Sequence, residues 1–278
     1  MTPPPIASGP AVPSRMHQHP YYAQTMLALG LRARPAADGS IAVMRRFAGL
    51  PVAWLPAPLS PPDLRNPMAP VTLISANSAD MDSALKSSGA IPVMTPQCRA
   101  QLDLSASEPA RRAALHQKWR NRLKMAETSG AKLHHCPLPD TPDHWLLRAE
   151  TAQRKQQKYR ALPAAFALNW PETRLFTLRK RQTDLAAMLF LIHGAGATYH
   201  IGWTSDQGRA MNAHSLILWQ AANWLAARGC TELDLGPLDT INTPGLARFK
   251  LGTGARPTAT GHAWIYTRAT AALGRLVT

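Results

Sequence analysis

The sequence predicts an α/β protein in two unequal halves, and three observations carry that reading. Leu185 to Ile192 is apolar on both faces, as a central strand covered by helices on either side must be. Ala197 to Trp203 alternates instead, with Tyr199, Ile201 and Trp203 on one side and Thr198, His200 and Gly202 on the other. An amphipathic helix follows from Asn212 to Arg228, capped by Asn212 and stopped by Gly229, with Ala213, Ile217, Ala221, Trp224 and Leu225 as its buried stripe. A third strand, Glu232 to Gly236, completes the unit.

The other elements read in order. Residues 1–15 form a proline-rich tail that cannot build a core and is expected to be disordered. A helix spans Tyr21 to Leu29. Ile41 to Phe47 and Pro51 to Leu55 are short strands joined through Ala48-Gly49, and the proline-studded stretch Pro56 to Pro70 is irregular. Val71 to Ser75 and Ile91 to Met94 are strands around a short helix, Ala79 to Ser87. One long helix is expected from Ser107, a good N-cap, to Ser129, with Gly130 as its stop and Leu115, Trp119, Leu123 and Ala126 on its buried face. A second basic helix runs from Asp143 to Leu162 and carries Arg148, Arg154, Lys155, Lys158 and Arg160. Pro244 to Gly254 reads as a strand–loop junction with a Gly-rich turn, and His262 to Tyr266 as a last, aromatic strand. The expected divisions are therefore the tail at 1–15, an N-terminal α/β half at 16–129 that includes the basic connecting helix 107–129, and a C-terminal half at 130–278.

Composition narrows the function classes. Only 17% of the 278 residues are charged, yet Lys and Arg outnumber Asp and Glu by 31 to 16, for a net charge of +15. So few charges, so one-sided, point to a polyanionic partner: RNA, a nucleotide-bearing substrate or an anionic membrane surface. Cys98, Cys136 and Cys230 are far apart and odd in number, which argues against a disulfide framework or a zinc ribbon and for a reducing, cytoplasmic compartment. The first residues lack the apolar core of a signal peptide, and no window reaches the roughly 18 apolar residues of a membrane span. A soluble chain is expected, with peripheral membrane contact left open. No metal site is expected: His134-His135-Cys136 are adjacent residues that rarely converge on one ion, and the other histidines show no ligand spacing. Ser205 and Ser215 lack a nucleophile-elbow setting.

The phrases Trp119-Arg120-Asn121-Arg122-Leu123-Lys124, Asp234-Leu235-Gly236 and Gly245-Leu246-Ala247-Arg248-Phe249-Lys250 together resemble the FemABX-like branch of the GNAT superfamily. These are acyl- and aminoacyl-transferases also described as BioF2-like or "acetyltransferase 6" domains. The resemblance covers most of residues 90–268. It implies a GNAT-type (acyl-CoA N-acyltransferase) fold, with a reduced N-terminal half and a complete C-terminal half joined by the basic helix. It also implies a donor cleft between splayed central strands, with Lys250 near the reacting carbonyl and Phe249 shaping the acyl channel.

The residues support this chemistry in their own right. Acyl transfer to an amine builds negative charge on the carbonyl oxygen, which a fixed ammonium such as Lys250 stabilises in a dry cleft. Gly252 and Gly254 would let a substrate approach the backbone beside it. Asp234 or Asp239 would take the proton from the amine, with His200 as another candidate base. The loop Asp206 to Asn212 stands where acetyl-CoA-dependent relatives carry Q/R-x-x-G-x-G/A; here Gly208, Arg209 and Asn212 are the candidate donor contacts, and the second glycine is missing. Arg112, His116 and Arg120 recur at i, i+4 and i+8 and would grip an anionic acceptor from one helix face.

The expected reaction is transfer from acyl-CoA to an amine by direct attack, with no permanently bound cofactor. The alternatives are aminoacyl-tRNA as donor with a cell-wall precursor as acceptor, or a non-catalytic RNA-binding module on the same fold.

Overall fold

The computed structural model describes residues 15–157 and 162–277. The expected tail, apart from Arg15, and Lys158 and Arg160 of the second basic helix lie outside the described residues. The chain divides into two compact units: Arg15–Arg99 together with the segment from Thr258, and Ala100–Pro257.

The first unit opens with a 3-10 turn, Met16–Gln18, and α1 (Pro20–Ala28). It continues through β1 (Arg32–Pro35), β2 (Ile41–Phe47), β3 (Leu50–Pro56), β4 (Val71–Ser75), α2 (Ala79–Ser87) and β5 (Ile91–Met94). Ala48 and Gly49 both adopt positive φ (47° and 81°), the geometry of a two-residue primed turn that matches strand twist. Ser78 caps α2 by accepting the Met81 N–H at 3.2 Å.

The second unit runs through β6 (Cys98–Asp103), α3 (Glu108–Ala114), α4 (Gln117–Glu127), β7 (Lys132–Cys136), α5 (Trp145–Gln157) and α6 (Ala164–Leu168). There follow β8 (Thr173–Lys180), β9 (Thr183–His193), β10 (Gly196–Thr204), α7 (Asp206–Ala210), α8 (Ala213–Ala227), β11 (Glu232–Pro237), α9 (Pro244–Leu251) and β12 (Arg256–Ala259). Last in the chain come β13 (Ala263–Tyr266) and α10 (Arg268–Val277), which belong to the first unit.

One sheet has the order β1-β2-β3-β4-β13-β5 and the other β12-β6-β11-β10-β9-β8-β7. β8 to β11 pair antiparallel, antiparallel, then parallel, and β1 to β4 repeat that order. In the second unit α7 and α8 make the parallel crossover; in the first, a proline-rich loop replaces them. The N-terminal half is thus reduced by the loss of its crossover helix.

The apolar β9 is covered on both faces, as its composition requires. Met188, Phe190 and Ile192 pack with Trp119, Leu123 and Ile217, while Ala187 and Leu189 pack with Leu146, Leu147 and Ala167.

Four expectations need correction. The helix expected over 107–129 is two helices, because Leu115 and His116 turn extended; Leu115 is buried there and the His116 N–H donates to the Gly252 carbonyl at 3.0 Å. The units divide at Ala100 rather than Gly130, since Trp119, Leu123 and Ala126 are core residues of the second unit. The Phe249-Lys250 pair lies on a helix, not a strand–loop junction: Pro244 stands in its first turn, where a missing N–H costs nothing. The last aromatic strand belongs to the first unit's sheet, between β4 and β5, because Trp264 and Tyr266 are buried among Leu55, Ile74 and Leu85. Among the described residues no helix is long and apolar enough to cross a membrane, and no His, Cys, Asp and Glu cluster is placed to hold a metal.

Candidate active site

The site grows out of an unfinished strand pair. β10 and β11 are parallel but pair only at Gly196–Glu232, Ala197–Leu233 and Thr198–Asp234. Beyond that point β10 runs on to Thr204 and β11 to Pro237 without pairing, and β10 bulges against β9 between Tyr199 and Ile201. A bulge bends its strand and raises its twist, so the two strands part and leave a notch at their C-terminal ends.

Lys250, on α9, reaches the β11 side of this notch. It is only 4% exposed, and its Nζ donates to the Pro237 carbonyl at 2.8 Å. Gly236 precedes that carbonyl at φ 85°, a conformation that favours glycine, and its bare Cα faces Lys250 Nζ. Asp234, at the last paired position, accepts the Gly236 N–H at 2.7 Å and so fixes the same turn. Phe249 packs between Trp119 and His214, with ring centroids 6.1 and 6.3 Å away. Lys250, Phe249 and Asp234 are thus brought together around the end of β11.

Asp239 is not. Its carboxylate accepts the N–H groups of Ile241 and Asn242 and the Asn242 side chain, bonds that hold its pKa below the usual carboxylate range. That is the work of a loop cap. Gly252 serves packing rather than substrate approach, since a Cβ there would lie 2.8 Å from Trp119 Cδ1. Gly254 likewise faces Ala114.

The donor loop also differs from its expected form. It holds the short helix α7, and four of the loop's N–H groups are already taken: Gly208 by the Ser205 hydroxyl, Arg209 by the Ser205 carbonyl, Met211 by Gln207 and Asn212 by Arg209. Gly208 is required because a Cβ would fall 2.1 Å from the Leu185 carbonyl oxygen, where α7 rests on β9. Asn212 precedes α8 in the left-handed region (φ 53°, ψ 35°) and makes no side-chain cap bond, contrary to its expected role. Arg209 is exposed.

The three proposed acceptor contacts do not form one stripe, because the helix breaks between them. Arg112 makes a bidentate pair with Glu127, both bonds 2.8 Å, and lies over the Trp219 ring. Arg120 donates to the carbonyls of Ala113 and Leu115 at the end of α3. His116 is exposed at the start of α4. Both arginines are therefore occupied in holding α3 against α4.

Sequence reasoning passed over His214, in the first turn of α8. Its Nε2 lies 2.9 Å from the Trp203 carbonyl, near the open end of β10. A carbonyl only accepts, so Nε2 carries the proton. Burial lowers the pKa, against a smaller opposing effect of that hydrogen bond, and the ring therefore stays neutral with Nδ1 as an acceptor. The available signal was its place immediately after Asn212-Ala213, where the crossover returns to the strand ends. Tyr199 lies over Gly202, whose missing Cβ makes room for the phenol, and burial raises its pKa further. His200 instead turns toward Phe166, at 5.8 Å.

Residues 117–251 match the model of the acetyltransferase (GNAT) domain family. No protein with curated function is similar enough in sequence to match the chain. Among solved structures, FemX is similar over 96% of this chain and 98% of its own, at 12% identity and a TM-score of 0.70. The C-terminal domain of a putative lysylphosphatidylglycerol synthetase from Agrobacterium fabrum is similar over 94% and 92%, at 15% identity and 0.60. L-PGS from Bacillus licheniformis follows with 89% and 87%, 13% identity and 0.54. With Lys250 and the parted strands inside the matched segment, this is an N-acyltransferase that carries an acetyltransferase (GNAT) domain, and its fold is similar to that of FemX.

Proposed function

We propose that the protein transfers an acyl group to an amine by direct attack in the notch between β10 and β11. The observation that carries this reading is the buried Lys250 ammonium, anchored on the Pro237 carbonyl where the strands part. The amine nitrogen bonds to the carbonyl carbon, the π pair moves to oxygen, and Lys250 stabilises that oxyanion. Collapse expels the donor's thiolate or alkoxide. His214 Nδ1 takes the proton released by the amine, and Asp234 is a positioning residue that holds the β11 turn on which Lys250 rests.

The donor loop favours aminoacyl-tRNA over acyl-CoA. A pyrophosphate cradle needs backbone N–H groups aimed outward, and those of Gly208, Arg209, Met211 and Asn212 are spent inside the loop. The net charge of +15 suits an RNA-borne donor. Acyl-CoA is the second reading, supported by the splayed strand pair together with the match to an acetyltransferase domain.

The test offers charged tRNA or acyl-CoA to the purified protein with a panel of amines and detects the product by mass spectrometry. Lys250→Met is expected to slow single-turnover transfer by about 100- to 1,000-fold, the usual loss of one oxyanion donor. A Lys250→Met protein that turns over like the wild type removes Lys250 from the chemistry. His214→Gln, which keeps a donor for the Trp203 carbonyl, is expected to flatten the acid limb of the pH–rate profile; an unchanged limb excludes His214 as the base.

A further inference from the structure

The first unit is polarised along its strands. Its carboxylates are Asp38, Asp63, Asp80 and Asp82. Asp38 lies in the β1–β2 turn, bonded to Ser40 and Ser60. Asp80 and Asp82 begin α2, where Asp82 accepts the His262 N–H just ahead of β13. Those three sit at one end of the sheet, and Asp63 is paired with Arg65 at 3.1 Å. The opposite end carries the β2–β3 turn, the start of β1 and the end of β13. There Arg32, Arg45, Arg46 and Arg268 are all exposed.

An apolar apex stands within this basic end. Phe47 and Leu50 are cross-strand partners that flank the turn, so they point to the same side of the hairpin. They are 77% and 56% exposed, the opposite of what their side chains favour in water. Arg45, opposite Val52, stands behind them on that face, and Arg46 lies on the other face with its guanidinium bonded to the Gly49 carbonyl at 3.2 Å. The strands stay paired up to the turn, so the two apolar side chains are presented on a rigid support.

We propose that this end of the first unit docks on an anionic lipid bilayer, with Phe47 and Leu50 entering the headgroup boundary and the four arginines meeting lipid phosphates. Apolar burial and attraction to anionic headgroups add together in such a contact. RNA fits less well, because single strands reward flat stacking surfaces and Leu50 offers none.

Sedimentation of the full chain with vesicles of phosphatidylcholine, with and without phosphatidylglycerol, tests the proposal. Binding is expected only with the anionic lipid, and high salt is expected to weaken it. Phe47→Ser with Leu50→Ser is expected to lower partitioning by about tenfold or more, and Arg45→Gln or Arg46→Gln by about fivefold each. All four positions are exposed, so the melting temperature is expected to stay near that of the wild type. Transfer to a soluble amine measured without vesicles is also expected to be unchanged, which separates this proposal from the catalytic one. Equal binding to neutral vesicles, no binding to either kind, or full binding by the Phe47/Leu50 variant overturns the proposal. Absent vesicle binding with salt-sensitive RNA retention that is lost in the arginine variants assigns the surface to RNA instead.

Discussion

His200 sits on the bulged stretch of β10 with its ring against Phe166, and burial pushes its pKa down to about 4 from an ordinary 6.5. The unfolded chain binds this proton near pH 6.5 and the native state only near pH 4, so acidification between those values favours unfolding. The contribution is complete above about pH 6.5 and is lost progressively toward pH 4, with a span of up to about 3 kcal/mol. His19, His135, His144 and His214, also lowered chiefly by burial, act in the same direction. Thermal melts from pH 4 to 7 are therefore expected to show rising stability, with a shallower rise in His200→Asn. An equal slope in the variant would show that His200 ionises as readily folded as unfolded. The His200 ring lies against Phe166, whereas His214 lies against Phe249, the neighbour of Lys250. Sequence alternation placed His200 on the strand, but not the bulge that re-aimed it.

Among the elements, α7 and the β2–β3 hairpin show how single positions set local geometry. Gly208→Ala would push a methyl group into the Leu185 backbone, so α7 must lift from β9. The expected cost is about 1–3 kcal/mol, read as a lower urea midpoint at an unchanged m value. An unchanged midpoint would mean that α7 relaxes without loss. Ala48 holds a left-handed conformation that suits asparagine better than alanine. Ala48→Asn, which creates the preferred Asn-Gly turn, is expected to stabilise by about 0.5–1 kcal/mol, and a lower melting temperature would refute this. The hairpin was legible in the sequence because Ala48-Gly49 interrupts two β-rich runs. The break between α3 and α4 was not, because Leu115 fits the helical stripe equally well and only its tertiary seat makes it turn out.

At the scale of the molecule, the C-terminal segment completes the N-terminal unit. β13 lies between β4 and β5, and Trp264 gives its indole N–H to Asp82 at 2.7 Å. Removal of residues 258–278 is expected to leave β5 unpaired and β4 paired only with β3, and to open the core around Leu55, Ile74 and Leu85. Hydrogen exchange should then accelerate in β2 to β5 while β9 and β10 keep their protection. Loss of protection throughout both units would show instead that they unfold as one.

The sequence by itself determined the strand–helix–strand core from Leu185 to Gly236 and the basic charge, because hydrophobic period and composition are local properties. It also singled out Lys250, which lies on a helix rather than at the strand–loop junction expected. Only the tertiary structure decided that Arg112 and Arg120 hold helices together, that Asp239 caps a loop, that the donor loop spends its own N–H groups, and that His214 meets the end of β10. Each of those depends on a partner's position after folding, and a charge or a donor does not reveal from its own residue whether the fold will already have satisfied it.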